Sequence, residues 1–159
     1  VDSGQLIVND LKLDNKYFAK DLGLLLENPS FLPYISGKKN LQMIASLRNV
    51  IDDARIDEVL KLVGLYDAGD KDFGKSSLGM KQRLALGQAI MENPKILMLD
   101  EPTNAIDDQG VRVLKEIVRE EKKKGTIVLI ASHEKEIIDE LADEIFLMKD
   151  GSLADHIIK

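Results

Sequence analysis

The second half of the chain alternates short apolar runs with amphipathic helical stretches. The predicted elements are a strand at 95–100, a helix at 108–124, a strand at 126–131, a helix at 134–142 and a strand at 144–148. Strands that alternate with helices favour right-handed crossovers and a parallel sheet. The predicted fold class is therefore α/β.

Two further segments of this region carry simpler signals. The charged run that ends at Lys124 is typical of the solvated end of a helix, with its lysines near the negative end of the helix dipole. Asp150-Gly151 lies between two apolar stretches and predicts a hairpin turn. His156, in the last of those stretches, is assigned no role.

Residues 36–94 lack strand signals and instead show helical periodicity at 40–47 and 52–63. Ser76 or Ser77 is expected to cap a further helix, which ends before Pro94. The sequence therefore predicts an α/β core formed by 1–35 and 95–159, with 36–94 as a helical insertion. Before the insertion, the apolar run at 23–26 predicts a strand that leads into a loop at 27–29.

The run ILMLDEPTNAID at 96–107 ends its predicted strand on two adjacent carboxylates, Asp100 and Glu101. Such a pair can divide two tasks of phosphate and magnesium chemistry, one group facing the cation and the other orienting water. The carboxyl ends of parallel strands meet at one edge of a sheet. We therefore expect Glu27 and His133, which follow neighbouring strands, to converge there with the pair.

Composition restricts the other classes of function. The 159 residues include no cysteine, which excludes disulfides and thiolate metal sites. No apolar run approaches the roughly 18 residues of a membrane-spanning helix. The net charge of −6 gives the chain no bulk attraction to nucleic acid.

Three motifs, SLGMKQR at 77–83, LDEPTN at 99–104 and Ser132-His133, occur in an order and spacing that resembles the ATP-binding cassette (ABC) ATPases. The resemblance covers about 4–158 and is greatest to the nucleotide-binding subunits of bacterial exporters of the bacteriocin-resistance type. It implies a P-loop NTPase-type parallel sheet with a helical subdomain, and ATP and Mg²⁺ as ligands.

The resemblance also implies roles for the residues at the sheet edge. Asp100 would hold Mg²⁺ through water, and Glu101 would polarise the water that attacks the γ-phosphate. His133 matches the switch histidine that contacts this phosphate. Glu27 stands where most members have a glutamine that senses Mg²⁺ and the attacking water.

In the family the signature motif acts on ATP held by an opposite subunit, so the resemblance implies a head-to-tail dimer. Ser77 and the backbone amide of Gly79 would donate to that γ-phosphate, and Asp107 would belong to the loop that couples the two sites. Leu78 and Met80 replace the commonest signature residues, Gly and Gln. Ala105-Ile106 replaces the usual Gly-Leu of the coupling loop.

The family's phosphate-binding loop, GxxxxGK[ST], lies upstream of the strand before Glu27, and we expect that N-terminal part to be missing from this chain. A literal match at 69–76 follows a predicted helix rather than a strand, and Asp70 and Asp72 would oppose a triphosphate. It is interpreted as a linker. We therefore expect the 159 residues alone to be inactive, although the complete protein would hydrolyse ATP.

The resemblance further implies two partners, a transmembrane permease subunit and a second nucleotide-binding subunit that is identical or paralogous. The permease would dock on the helical insertion and on the loop at 27–33, at the cytoplasmic face of the membrane. The alternative is an ABC-type ATPase of nucleic-acid maintenance. Those proteins carry long coiled coils or zinc modules between the loop and the signature, whereas the segment from Glu27 to Ser77 is short and has no cysteine.

Overall fold

The computed structural model describes residues 3–8, 11–13, 21–68 and 72–159. The strands are β1 (Leu6–Val8), β2 (Leu11–Leu13), β3 (Leu22–Leu25), β4 (Ile96–Asp100), β5 (Ile127–Ala131), β6 (Glu144–Lys149) and β7 (Ser152–Ile158). The α-helices are α1 (Gly37–Arg48), α2 (Asp53–Leu62), α3 (Leu78–Ile90), α4 (Asp108–Lys123) and α5 (Lys135–Leu141). Short 3₁₀ turns occupy Tyr66–Ala68 and Phe73–Lys75.

The centre of the fold is a three-stranded parallel sheet in the order β3-β4-β5, as the alternating pattern predicts. Leu97 and Leu99 point to one face of β4 and are buried, whereas Met98 between them is 40% exposed. The alternation arises because successive side chains of a strand point to opposite faces. Only one face of this sheet is therefore covered by the described residues.

The covered face packs against α3 at very short range. A Cβ built on Gly23 of β3 would collide with the backbone carbonyl of Ala89 near the end of α3. Glycine, which has no Cβ, permits this approach of helix to strand.

Helices α1 and α2 cover the two stretches with helical periodicity, α3 follows Ser77, and each of these three α-helices begins at a side-chain cap. The caps are Ser36 on α1, Asp52 on α2 and Ser77 on α3, and each accepts a hydrogen bond from a backbone N–H three residues later. These helices contribute apolar side chains to the same buried core as the sheet, among them Leu41, Ile56, Leu60, Leu84 and Ile90.

Helix α4 buries Leu114, Ile117 and Val118 as its periodicity predicts. The expectation that the charged run near its end is only solvated is wrong for Glu121, which is 2% exposed. Its carboxylate accepts a hydrogen bond from the Thr126 hydroxyl at 3.1 Å and pairs with Lys124 at 2.7 Å. A buried carboxylate with these partners joins the end of α4 to the start of β5.

The hairpin predicted at the end of the chain is present. β6 and β7 pair antiparallel, and the turn residues Asp150 and Gly151 both have positive φ, at 50° and 75°. This is the backbone conformation of a tight two-residue hairpin. In the described part of the chain β6 pairs with β7 and does not extend the parallel sheet. β1 and β2 form another two-stranded antiparallel sheet.

No helix among the described residues is both long and apolar enough to cross a membrane.

Candidate functional site

The carboxyl ends of β3, β4 and β5 lie at one edge of the parallel sheet. The register pairs Leu25 with Leu99 and Asp100 with Ala131. Glu27 and His133 each follow two residues after the last residue of their strand, and Glu101 follows β4 directly. The sheet therefore brings together the chain segments that carry the predicted carboxylates and histidine.

Glu101 and His133 are in direct contact. Nδ1 of His133 lies 2.8 Å from Oε2 of Glu101, and the backbone N–H of Glu101 donates to the carbonyl of Ala131 at 2.9 Å. The Glu101 side chain is 24% exposed and that of His133 is 73% exposed. The pair is thus held on its carboxylate side and open to solvent on its imidazole side.

The Glu101 carboxylate changes the protonation of its partner. Its hydrogen bond raises the pKa of His133 above the ordinary value, and its negative charge adds to the effect. Partial loss of hydration acts in the opposite direction, and Glu134 adds a smaller favourable charge. The arrangement favours an imidazolium that donates to Glu101 through Nδ1 and leaves Nε2 available as a second donor.

Glu101 also has an unusual backbone conformation. Its φ is +44°, in the left-handed region that a residue with a side chain rarely adopts. Glu101 directly follows Asp100, the last residue of β4, so the regular strand conformation ends at this position. Strained residues of this kind cluster at functional sites.

Asp100 ends β4 on the exposed side of the sheet, the side of Met98. Its carboxylate is an oxygen ligand of the kind that Mg²⁺ prefers. Among the described residues no group of three or more acidic, histidine or cysteine side chains is arranged to hold a metal ion.

Glu27 is connected to the site by Asn104, a residue for which the sequence predicts no separate role. Nδ2 of Asn104 donates to Oε1 of Glu27 at 3.3 Å, and the backbone N–H of Asn104 donates to the carbonyl of Glu101 at 3.1 Å. Asn104 therefore lies between the loop after β3 and the turn after β4.

Ser77 begins α3, with its Oγ accepting a hydrogen bond from the backbone N–H of Met80 at 3.2 Å. Capping uses a lone pair of the hydroxyl and leaves its proton free to donate elsewhere. The role predicted from the resemblance and the role of a helix cap are therefore compatible in one side chain.

Gly79 packs against the segment that follows the carboxylates. A Cβ at this position would lie 2.8 Å from the carbonyl oxygen of Ala105, closer than side chains tolerate. Asp107, two residues later, caps α4 by accepting from the N–H of Gly110 at 2.8 Å. The first turn of α3 and the start of α4 are thus joined through residues 105–107.

The literal phosphate-loop match at 69–76 falls partly outside the described residues, at 69–71. In its described part, Lys75 is 82% exposed on its side chain and pairs with Asp72 at 3.3 Å, within a 3₁₀ turn. The preceding described element is the 3₁₀ turn Tyr66–Ala68, not a strand. The arrangement agrees with a linker.

Two features of this edge are not among the predictions from the sequence. Asn104 belongs to the LDEPTN motif without a role of its own, and Asp107 is predicted to be a coupling residue rather than a helix cap. An aspartate three residues before Gly110, at the start of a predicted helix, is a recognisable capping signal. The contact between Asn104 and Glu27 has no such signal, because it joins two loops far apart in the chain.

The geometry of strand ends and loops matches a known architecture. The solved dimeric ATP-binding cassette MJ0796, in a post-hydrolysis state bound to ADP and Pi, superposes with a TM-score of 0.85 over 98% of this chain and 73% of that one. The two sequences are 20% identical, so the likeness establishes the fold. The chain has the fold of an ATP-binding cassette domain.

Sequence comparison gives the family. A family model described as ABC transporter matches residues 1–104. The uncharacterized ABC transporter ATP-binding protein YybJ of Bacillus subtilis (strain 168) is 43% identical over 136 residues, 86% of this chain and 62% of that protein. The bacitracin transport ATP-binding protein BcrA of Enterococcus faecalis is 36% identical over 137 residues, 86% of this chain and 44% of that protein. This chain belongs to the ABC transporter family, and it spans about half the length of the curated relatives that it matches.

Proposed function

We propose that the protein containing this chain is the ATP-binding subunit of an ABC exporter and hydrolyses ATP. The observation that carries the proposal is the hydrogen bond between Glu101 and His133 at the carboxyl edge of a parallel sheet. Family membership and the bacitracin transport named for one relative support it.

In this proposal Glu101 orients and polarises the attacking water. Its contact with His133 fixes the direction of the carboxylate, and it leaves one carboxylate oxygen free to accept a proton. His133, with its raised pKa, presents a positive group that is largely exposed at the site. Such a group stabilises negative charge that develops on a transferred phosphoryl group.

Asp100 and Glu27 would hold Mg²⁺ through water molecules. When bound, the cation would neutralise charge on the phosphate oxygens. The chain's own contribution is to place two carboxylates at the ends of adjacent strands, with Glu27 steadied by Asn104.

The remaining site residues fit a second subunit. The Ser77 hydroxyl proton and the Gly79 amide at the start of α3 would donate to ATP held by that subunit, and Asp107 would lie in the segment between the two sites. We further propose that residues 36–94 form a helical subdomain, which binds a transmembrane permease at the cytoplasmic face of the membrane.

The test is Glu101→Gln in the complete protein. The amide keeps the shape of the side chain but cannot accept a proton, so the rate of ATP hydrolysis should fall by about 100-fold or more. ATP binding should persist, and ATP-bound dimers should accumulate in size-exclusion chromatography. The matched control is Glu136→Gln on the exposed side of α5, which should hydrolyse ATP at the original rate. Unchanged hydrolysis in Glu101→Gln would remove Glu101 from this role.

A further inference from the structure

Asn104 makes contacts in two directions. Its side-chain amide donates to the carboxylate of Glu27 at 3.3 Å, and its backbone N–H donates to the carbonyl of Glu101 at 3.1 Å. Glu27 belongs to the loop after β3 and Glu101 to the end of β4. Asn104 therefore connects the Glu27 carboxylate with the backbone of the turn that follows β4.

The hydrogen bond between Asn104 and Glu27 has a fixed donor and a fixed acceptor. A carboxylate only accepts hydrogen bonds, so the residue facing Glu27 must be a donor. The edge already holds the carboxylates of Asp100 and Glu101. An aspartate at position 104 would add like charge against Glu27, whereas the neutral amide of asparagine donates without adding charge.

The turn at 101–105, which contains Asn104, also contacts α3. The residue after Asn104 is Ala105, which has a positive φ of 61°, and its carbonyl oxygen lies against Gly79 of α3. The turn at 101–105 therefore contacts the Glu27 loop through a side chain and α3 through its backbone.

We propose that Asn104 is a positioning residue, which ties the Glu27 loop to the turn at 101–105 so that Glu27, Glu101 and the first turn of α3 keep a fixed relative placement. The inference rests on the proposed function for its effect on hydrolysis. Its structural part stands independently of that function.

The test exchanges donor and acceptor in the complete protein. Asn104→Asp places two carboxylates in contact and should lower kcat for ATP hydrolysis by about tenfold, a typical coupling between contacting groups. Glu27→Gln removes one of the charges that would hold Mg²⁺ but retains an acceptor oxygen for Asn104, so its kcat is the reference for the double variant. In the double variant E27Q/N104D, the glutamine amide donates to the new carboxylate, and kcat should equal that of Glu27→Gln, without the tenfold loss.

The control variant is Gln109→Glu, which makes the same change from amide to carboxylate at an exposed residue in the first turn of α4. It should leave kcat within about twofold of the original protein. If Gln109→Glu lowers kcat as much as Asn104→Asp, the effect is one of general charge and the proposal is overturned. Failure of the double variant to recover kcat would overturn it equally.

A second measurement separates this inference from the proposed function. Amide hydrogen exchange should be about tenfold faster at 104 and 106 in Asn104→Asp, because these N–H groups close the turn, and it should return to the original rate in the double variant. A protein that does not hydrolyse ATP but shows this pattern would refute the proposed function and retain the inference. Unchanged exchange in Asn104→Asp would refute the inference even in an active ATPase. If Asn104→Asp does not fold, Asn104→Ala breaks the contact without added charge, and amide hydrogen exchange at 104 and 106 should again be faster than in the original protein.

Discussion

Nδ1 of His133 lies 2.8 Å from Oε2 of Glu101, and this contact joins the ends of two neighbouring parallel strands. Because the carboxylate stabilises the protonated ring, the pKa of His133 is raised. A group whose pKa is raised by folding contributes stability at pH values below its unfolded pKa, and this contribution is lost as the pH rises through the folded pKa.

Glu101→Gln should therefore lower the pKa of His133 toward its ordinary value. The glutamine amide carries no charge, so the main favourable hydrogen bond weakens and the Coulomb attraction disappears. The measurement is an NMR titration of the ring protons in the original protein and the variant. The ring signals of His156, in a different sheet, provide an internal reference. An unchanged titration of His133 would show that the contact does not persist in solution.

Ser77 allows the helix cap to be separated from the free hydroxyl proton. Ser77→Asp keeps a good capping oxygen but has no proton to donate, so α3 should remain stable while ATP hydrolysis by the complete protein falls by at least about tenfold. Ser77→Ala should lose both properties and lower the free energy of unfolding by about 1 kcal/mol. Chemical denaturation and a steady-state ATPase assay measure the two effects.

Asp52→Ala is the matched control, because Asp52 caps α2 through the same type of hydrogen bond. It should lose a similar free energy of unfolding without loss of hydrolysis. Full activity in Ser77→Asp would show that capping is the whole role of the side chain.

The contact between Gly23 and Ala89 makes position 23 intolerant of any side chain. Gly23→Ala should lower the free energy of unfolding by about 1–3 kcal/mol or more, because a methyl group would have to displace the backbone of α3. Leu24→Ala at the next position is the control, since Leu24 is 43% exposed on the opposite face and should lose less. Urea denaturation followed by circular dichroism compares them. Equal losses at the two positions would contradict the close packing.

The phosphate-loop match that ends at Ser76 should not bind phosphate. Lys75→Ala should leave the affinity for Mg-ATP unchanged, because Lys75 is exposed and pairs with Asp72 across a 3₁₀ turn. Isothermal titration calorimetry on the original chain and the variant measures this. Micromolar binding that is lost in Lys75→Ala would make this segment a nucleotide site.

Local patterns in the sequence predicted much of the fold. The apolar run before Asp100, the periodicity of α4 and the Asp150-Gly151 turn each depend on neighbouring residues, and the structure contains the corresponding elements. The parallel sheet followed from the alternation of strands and helices. Such features are determined within a few residues or by short connections, so they can be read without coordinates.

Contacts between distant segments could not be predicted in the same way. The hydrogen bond from Asn104 to Glu27 and the packing of Gly23 on Ala89 depend on how strands and helices are placed in space. The burial of Glu121 could not be predicted from the charged run that contains it, because a charged run at a helix end is normally solvated. The meeting of Glu101 and His133 was expected, since both follow strands of one parallel sheet, but the atoms in contact were not.

Helix α3 approaches other backbone at both of its ends, at Gly79 against Ala105 and at Ala89 against Gly23. These two glycines should therefore be among the positions least tolerant of substitution in a saturation-mutagenesis library. Variation among natural sequences of this fold would then be limited by backbone spacing at two points as well as by the chemistry of the nucleotide.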